Sequence, residues 1–459
     1  MLTVRNHIRA FFNSFLFPIY VAFFVLTGHI YSRENFAILM IIAATSLAFL
    51  ICDDLKFFIS PLLSFYFVFS KKTLFGKELT SESSIRFYAI CIGVLILSII
   101  VHFIIYRKSV KIREFTSSRL FIGLLILSVF FVLNGAIGYE EYTKSSLVFG
   151  LLITISIVLP FFMLSINLEL DKRAKDVVIF TLLLISIVIC AELLNLYLGD
   201  IKIINGRIQK TSIDLGWGVS NNIGAIIAML IPIHFYCASK TRLGFIFIGT
   251  AVMSYIFTVM SLSRTAILFA TVIFLACLIF IFIYKNKYSW PNRIYSVLFI
   301  IAVAAIYHYN KDVIDKALDE IIRIGLDDNG RLEYFKDGIT KFKEYPIFGV
   351  GFGSSHGTND RFVISAPEYF HNTIIQILAS CGILGFLAYC YHRIETFILF
   401  IKYRSNFTFY MAMCITALLL TSLLDIHLFN IFPALFYSVI LCIIEKNGKS
   451  IKSKEKMAI

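Results

Sequence analysis

Long apolar runs broken by short charged clusters make up almost the whole of this 459-residue chain. Hydrophobic residues account for 59% of the sequence and charged residues for only 15%, whereas soluble domains carry about 25% charged residues. The mean hydropathy of +0.83 reflects an excess of Ile, Leu and Phe gathered in these runs. The pattern excludes a packed water-soluble core and predicts a protein that crosses a membrane many times.

About fourteen runs are candidate membrane-spanning helices, since one span needs ~20 mostly apolar residues. The fold class is therefore predicted to be all-α. The candidate spans are 10–28, 36–51, 56–70, 87–106, 119–137, 145–166, 176–198, 220–238, 243–260, 265–284, 293–309, 373–391, 406–425 and 428–445. The second and third are short, and the segment 392–405 is either an interfacial helix or an extension of the span before it.

Lys and Arg in the short connecting loops predict the orientation, because cytoplasmic loops are enriched in both residues. The strongest clusters are 107–113, 172–175, 240–242, 285–293, 402–404 and 446–456. With about fourteen spans and both termini in the cytoplasm, all of these clusters fall on the inner side. The segments predicted on the outer face are 199–222, 261–264, 310–370 and 425–427. We expect a multi-pass protein of the cytoplasmic (inner) membrane whose chemistry faces outward.

The formal net charge of +13 suggests nucleic-acid binding, but the distribution of the charge excludes it. The positive residues lie in short loops between apolar runs and in the C-terminal tail. In such places they set topology and attract anionic lipid headgroups. Membrane lipids are therefore expected partners, and nucleic acid is not.

Motifs for metals and nucleotides are missing from the sequence. The nine cysteines lie in or beside apolar segments without a CxxC pair, which indicates buried small hydrophobes rather than zinc ligands or a disulfide framework. No HExxH, Walker, DxD-like or GxSxG motif occurs in a usable setting. The GVGFG at 349–353 lacks the strand and helix of a dinucleotide site, so a turn that needs positive φ is favoured. Neither a metal nor a cofactor is expected.

The chain is predicted to form one membrane domain with an external helical cap. We divide it into N-terminal membrane helices (1–200) and a catalytic membrane half (201–459), which includes the extracytoplasmic loop 310–370. Within that loop, two successive stretches have apolar residues at helical spacing, and Pro346 closes the second. Both are expected to lie apolar side down on the membrane or the bundle.

Two arginines stand at the ends of predicted helices on the outer face. Arg331 lies in a first helical turn, where a cation opposes the helix dipole unless an anion binds there. The alternative is a solvated arginine or a pair with Asp327 or Asp328. Arg264 lies at the outer mouth of two helices joined by almost no loop, and it is either functional or an interfacial anchor.

The remaining candidates are polar residues near other predicted helix ends. Arg207 precedes the helix that begins near Asn222, and Asn222 is either a ligand or the cap of that helix. His371 and Asn372 stand where the chain re-enters the membrane. An imidazole there can accept a proton from an attacking hydroxyl, or it is simply a polar residue at headgroup level. Asp425, near the outer end of its span, is a candidate partner for an arginine or a substrate hydroxyl, or a helix cap.

Taken in order, these residues resemble the pattern of the O-antigen ligase and polymerase family, whose members are multispan glycosyltransferases. The matching elements are Arg207 with the Asn222 helix, Ser263-Arg264-Thr265, Gly330-Arg331 with Tyr334, Pro346 to Gly351, and His371-Asn372 followed by Leu378, Gly382 and Gly385. The ordered combination over 207–391 is specific. The first 200 residues match only as generic membrane helices.

The resemblance implies a donor of undecaprenyl pyrophosphate carrying a saccharide, and an acceptor hydroxyl. It implies that the arginines bind the pyrophosphate, that the histidine is the base, and that transfer is metal-independent and inverts the anomeric centre. On this basis the candidate catalytic residues are His371, Arg264 and Arg331, and the candidate substrate-binding residues are Arg207, Asn222, Tyr334, Asn372 and Asp425. The residues suit this chemistry, since arginine stays cationic and binds phosphate oxygens as a fork.

The sequence leaves the acceptor open. A polymerase passes the growing chain onto a lipid-linked repeat unit, whereas a ligase passes it to lipid A-core or another final acceptor. The large N-terminal half favours the polymerase, because ligases usually have fewer spans. A polysaccharide or lipid transporter is the alternative of another class, but it should show repeated halves with paired broken helices. A chain-length regulator and a flippase are further candidate partners.

Overall fold

The computed structural model describes residues 2–70, 82–112, 118–140, 142–204, 207–309, 311, 330–352 and 369–457. Sixteen α-helices lie in this part of the chain. They are α1 (Leu2–Phe12), α2 (Leu16–Ile30), α3 (Glu34–Ile51), α4 (Ile59–Ser64), α5 (Glu82–Ile105), α6 (Arg119–Leu133), α7 (Lys144–Asn167), α8 (Lys172–Gly199), α9 (Ser220–Ala238), α10 (Gly244–Met260), α11 (Arg264–Ile283), α12 (Ser289–Tyr309), α13 (Arg331–Glu344), α14 (Thr373–Lys402), α15 (Asn406–Thr421) and α16 (Ile431–Met457). Two short strands, β1 (Ile203–Ile204) and β2 (Arg207–Ile208), pair as an antiparallel hairpin.

The prediction of an all-α membrane fold is confirmed in the described residues. Eight helices there are long and apolar enough to cross a membrane, and α1 with α2 forms a further candidate bent by 64°. The shorter apolar helical segments are Leu55–Val68, which combines α4 with its flanking turns, Arg119–Leu133, Gly244–Met260, Ser289–Ala305 and Asn406–Thr421. The total of about fourteen spans stays a prediction. So does the helical cap, most of which lies outside the described residues.

The structure answers two questions that hydropathy left open, one about the predicted span at 56–70 and one about the segment 392–405. The predicted span at 56–70 is not one helix, because short 3₁₀ turns flank α4 on both sides. Pro61 lies in this stretch and lacks the backbone N–H that a continuous helix would use. At 392–405 the structure favours the extension, since α14 continues as far as Lys402.

The chain divides into two compact units. Unit 1 comprises Met1–Ile112 and Met163–Ser296, and unit 2 comprises Arg113–Phe162 and Val297–Ile459. Each unit draws on both the early and the late part of the sequence. The division at residue 200 into N-terminal helices and a catalytic half is therefore a prediction about function and does not coincide with a boundary between the units.

In unit 1, polar side chains inside the bundle are hydrogen-bonded to one another. His234 of α9 is buried, with Nδ1 2.8 Å from Thr250 Oγ1 and Nε2 3.0 Å from Ser186 Oγ. These contacts join α9 to α10 and to α8. An unpaired polar group is costly inside a membrane, so such pairs help to fix which helices pack together.

In unit 2, α14 is broken at Gly382, whose φ of +65° lies in the left-handed region. The backbone groups next to such a break lose their partners within the helix. The segment 346–351, which follows α13, supplies a new partner for one of these backbone groups. Val350 N donates to Ala379 O at 2.8 Å. The carbonyl before the break is thus satisfied inside the protein, as a membrane interior requires.

Beyond the break, the same segment accepts a hydrogen bond from Ile383 N to Pro346 O at 2.8 Å. The two backbones approach so closely that a Cβ added at Gly382 would overlap the carbonyl of Ile347. Gly349 has a φ of +73°, which confirms the predicted turn after Pro346. The break is therefore the docking point of the 346–351 segment.

We predict that Gly382→Ala destabilises the protein strongly. Alanine would meet both an unfavourable positive φ and the Ile347 carbonyl. Together these should cost at least about 2 kcal/mol. The midpoint of thermal unfolding of the detergent-purified protein, followed by fluorescence-detected size exclusion, should fall by several degrees.

Gly93→Ala is the matched control, because a Cβ added at this position of α5 meets no described heavy atom outside its helix within 4 Å. Alanine favours a helix interior over glycine, so this variant should unfold at or above the wild-type temperature. Equal midpoints for the two variants would contradict the docking of the segment onto the break.

Candidate functional site

In unit 2, α13 lies against the first turns of α14, and a glycine allows the contact. A Cβ added at Gly338 would lie 2.9 Å from Phe370 Cγ, which is closer than side chains normally approach. Phe370 is itself buried, so it cannot easily move away. This packing sets the first turn of α13, with Arg331 and Tyr334, near His371, two residues before α14 begins. The ring centroids of Tyr334 and His371 are 5.3 Å apart.

The start of α14 is tied to the turn after α15 through two backbone carbonyls. Thr373 N donates to Ser422 O at 3.1 Å. Asn372 Nδ2 donates to Leu423 O at 2.8 Å, while Asn372 Oδ1 accepts from two N–H groups of the first turn at 2.8 and 3.0 Å. Asn372 is thus the N-cap of α14, with both ends of its amide engaged. The tie brings the turn after α15 next to His371.

Asp425 stands in that turn and faces His371. Nδ1 of His371 lies 3.5 Å from Oδ1 of Asp425. The Asp425 side chain is only 11% exposed, whereas 33% of the His371 side chain is exposed. The φ of His371 is +49°, a strained value that persists only where the surroundings hold it. Nδ1 is buried, lies within ion-pair distance of the carboxylate and has no hydrogen-bond partner in the described part of the chain. Nε2 is therefore the ring nitrogen left to face a substrate.

The charges in this turn centre on the Asp425 carboxylate. Burial raises the pKa of Asp425, but the imidazole of His371, the charge of His427 and the N–H of Ile426 outweigh burial and hold that pKa well below its usual range. Burial lowers the pKa of His427, and the nearby Arg331 lowers it further while Asp425 opposes both. At neutral pH Asp425 is therefore anionic and His427 neutral, and the carboxylate can balance a positive charge on His371.

In unit 1, the first turns of α9 and α11 lie side by side. Ser220 Oγ donates to Ser261 O, in the connection before α11, at 2.7 Å. A Cβ added at Gly224 would lie 2.7 Å from a side chain of α11, so the two helices meet in close contact. Arg264 opens α11 directly after the N-cap Ser263. Two helix N-termini and one guanidinium thus share an edge of unit 1, an arrangement that suits an anion.

A buried hydrogen bond anchors the 199–222 segment of unit 1. Trp217 Nε1 donates to Glu192 Oε2 of α8 at 2.8 Å, and both side chains are buried. The indole packs edge-on against Phe67, with ring centroids 4.7 Å apart. His29 Nδ1 lies 4.0 Å from the same carboxylate oxygen. The segment is therefore fixed to the bundle from within.

The predicted site residues fall into two groups. Those that unit 2 brings together are Arg331, Tyr334, His371, Asn372 and Asp425. Arg207, Asn222 and Arg264 belong to unit 1. Arg207 lies in β2, and Asn222 is the third residue of α9 and not its cap, a position held by Val219. Within the described part of the chain, no group of three or more His, Cys, Asp or Glu side chains could hold a metal ion.

Sequence reasoning missed three buried residues, one in unit 2 and two in unit 1. His427 lies two residues after Asp425, and this short polar pattern between two apolar runs was the available signal. Glu192 is an acidic residue inside a long apolar run, which by itself suggests a functional or paired group. Its partner Trp217 is 25 positions away, so no local pattern could identify the pair.

Comparison with known proteins identifies a family for part of the chain. Residues 227–390 match the family model described as O-antigen ligase. The candidate residues inside the matched region are Arg264, Arg331, Tyr334, His371 and Asn372. The match confirms the resemblance to the O-antigen ligase and polymerase family. No curated protein matches the chain.

We predict that Trp217→Phe destabilises the protein. The phenyl ring keeps apolar bulk but leaves the buried Glu192 carboxyl without its donor, at a cost of about 1–3 kcal/mol. The midpoint of thermal unfolding should fall accordingly. Glu192→Gln, which keeps an acceptor for the indole N–H, should lose less than Glu192→Ala.

Trp290→Phe serves as the control, since Trp290 is 70% exposed. A surface change of this kind should alter stability by no more than about 0.5 kcal/mol. If the Trp290 variant lost as much stability as the Trp217 variant, the effect would come from losing an indole in general, and the role given to the Glu192 contact would be wrong.

Proposed function

We propose that this chain, which carries an O-antigen ligase domain over residues 227–390, polymerises lipid-linked oligosaccharide repeat units into a surface polysaccharide. The donor is a saccharide on undecaprenyl pyrophosphate, and the acceptor is a hydroxyl of a second lipid-linked unit. The reaction is a metal-independent, inverting glycosyl transfer at the outer face of the cytoplasmic membrane. The observation that carries the proposal is the part-exposed His371–Asp425 pair, close to Arg331.

His371 acts as the general base. Asp425 lies 3.5 Å from Nδ1, and in the substrate complex Nδ1–H donates to this carboxylate, which leaves the lone pair of Nε2 for the acceptor hydroxyl. The hydroxyl gives its proton to Nε2 while its oxygen forms the new bond to the anomeric carbon. The bond between the anomeric carbon and the pyrophosphate oxygen breaks, and that oxygen keeps the electron pair. Asp425 stabilises the imidazolium that results, as the aspartate of a serine-protease triad does.

The arginines act on the leaving group. Pyrophosphate departs with negative charge, which Arg331 stabilises through forked contacts with its oxygens. The resemblance gives Arg264 of unit 1 a role of the same kind. Each of the two opens a helix, so the unpaired N–H groups of that helix's own first turn add positive potential at its end. Arg207 in β2 is a third, weaker candidate of the same kind. Protein groups therefore supply the positive charge that a metal ion would otherwise provide.

Recognition of the sugar is assigned to one aromatic and two polar side chains. Tyr334 is exposed and presents its ring beside His371, where an amphipathic aromatic ring can pack on a sugar. Asn222, in the first turn of α9, is a candidate hydroxyl ligand. Asn372 uses its amide as a helix cap and as a tie to Leu423, so its main contribution is to hold His371 in place.

Ligation is the alternative within the family, and transport is the alternative of another class. A ligase would use the same base and arginines but pass the polysaccharide to lipid A-core or another final acceptor. The preference for the polymerase rests on the sequence prediction of about fourteen spans, since ligases usually have fewer. Transport is disfavoured because the candidate groups lie at helix ends and not in paired broken helices. A chain-length regulator and a flippase are candidate partners of the polymerase.

We predict that Arg331→Lys and Arg264→Lys each lower the rate of transfer about a hundredfold. An ammonium cannot form the fork, and losing one contact to the departing charge costs on the order of 3 kcal/mol. The readout is extension of a lipid-linked donor by purified protein. Arg242→Lys, at an exposed position in the connection between α9 and α10, should keep wild-type activity. Full activity of Arg331→Lys would refute the forked role.

We predict that His371→Gln lowers turnover by ~100- to 10,000-fold, the usual effect of removing a general base. The wild-type rate should fall towards acidic pH, because a protonated imidazole cannot accept the proton. The residual rate of the variant should lack this fall. His308→Gln, at an exposed position of α12, is the control and should behave like the wild type. Near-normal turnover by a well-expressed His371→Gln would leave an arginine-only mechanism as the better account.

A further inference from the structure

A cavity of about 610 Å³ opens in unit 1 where α5 ends, lined by Asp53 and residues 104–109. This volume lies in the range of ~300–1,000 Å³ that is typical of small-molecule sites. The chain leaves α5 at Ile105 and continues into a 3₁₀ turn over Arg107–Ser109. The cavity therefore lies at the end of a candidate membrane span, where the membrane interface is expected.

Hydrogen bonds hold the walls of this cavity. Tyr106 OH accepts from Arg5 Nη2 at 3.0 Å and lies 2.9 Å from the carbonyl of Ile51, to which it donates. Ser109 Oγ donates to the carbonyl of Asp53 at 3.3 Å. These contacts join α1, the end of α3 and the turn after α5. The cavity is thus lined by two separate stretches of the chain that are tied to each other, and Arg5 of α1 is bonded to one of them.

The lining of the cavity carries a positive charge. Arg107 and Lys108 line it and are exposed. The carboxylate of Asp53 also lines it, but that carboxylate is paired with Arg9 of α1. Asp53 therefore offsets little of the charge of the other two side chains, and the cavity favours an anion.

The lining next to this charged turn is apolar. Ile104 and Ile105 belong to the cavity wall and are 67% and 52% exposed, on a helix apolar enough to cross a membrane. An inorganic anion would not cover such a wall, whereas the glycerol and acyl portion of a lipid would bury it. The neighbouring α1 meets α2 at 64° and carries Arg5 and Arg9, as a helix lying along a membrane surface does.

We propose that this cavity binds one anionic phospholipid. Its phosphate lies between Arg107 and Lys108, and its glycerol and upper acyl chain lie along Ile104 and Ile105. A zwitterionic headgroup would bring a second cation towards the two basic side chains, so phosphatidylglycerol is bound in preference to phosphatidylcholine. The site belongs to unit 1 and does not depend on the proposed glycosyl transfer.

Native mass spectrometry of the full chain in neutral detergent, titrated with phosphatidylglycerol, tests this site. The double variant Arg107→Gln/Lys108→Gln should bind the lipid about tenfold more weakly than the wild type. The double variant Arg242→Gln/Lys285→Gln removes the same two charge types from exposed positions outside the cavity and should bind like the wild type. Lys108→Gln alone should fall between the wild type and the first double variant.

Three results would overturn the proposal. If the two double variants lost equal affinity for phosphatidylglycerol, the lipid would be attracted to basic loops in general. Equal binding of phosphatidylcholine and phosphatidylglycerol would mean that the two basic side chains do not select the headgroup. Displacement of the bound lipid by glycerol 3-phosphate or inorganic phosphate would mean an anion site to which the isoleucines contribute nothing. Unfolding midpoints measured in lipid-free detergent confirm that each variant is folded before it is scored.

Discussion

The candidate site in unit 2 depends on one interaction, the docking of the 346–351 segment onto the break in α14 at Gly382. A helix interrupted within a membrane exposes backbone groups that lipid cannot satisfy, so the break requires a partner from the protein. Because that partner directly follows α13, the docking also fixes the position of α13. The close contact between α13 and α14 then holds Arg331 and Tyr334 beside His371.

The same constraint explains why the candidate groups gather at helix ends. Inside the bundle of unit 1, a polar side chain such as His234 is occupied by hydrogen bonds to neighbouring helices. A base or an anion ligand must instead keep one face open to its substrate. The end of a span is where such exposure is compatible with a surrounding membrane. His371 precedes the N-cap of α14, and Arg264 follows the N-cap of α11.

The helices were predictable because a membrane span carries its signal locally. A window of ~20 apolar residues marks it wherever it lies, and polar residues at its ends then become candidates, as Arg264 and His371 did. Contacts between distant positions carry no such signal. The bond from Asn372 to Leu423 crosses 51 positions and depends on tertiary packing. The break at Gly382 was hidden as well, since averaged hydropathy does not register one glycine. The sequence therefore predicts which residues are candidates for the site, but not the tertiary contacts that hold them in place.

The central claim, glycosyl transfer from a lipid-linked donor, is tested most directly by the fate of the donor's bridging oxygen. Purified protein receives a donor with oxygen-18 between the anomeric carbon and the pyrophosphate, a separate lipid-linked acceptor and excess EDTA. We expect a lengthened glycan with an inverted new linkage, and all of the label in the released undecaprenyl pyrophosphate. Label retained in the glycan, or transfer that requires a divalent ion, would contradict the account.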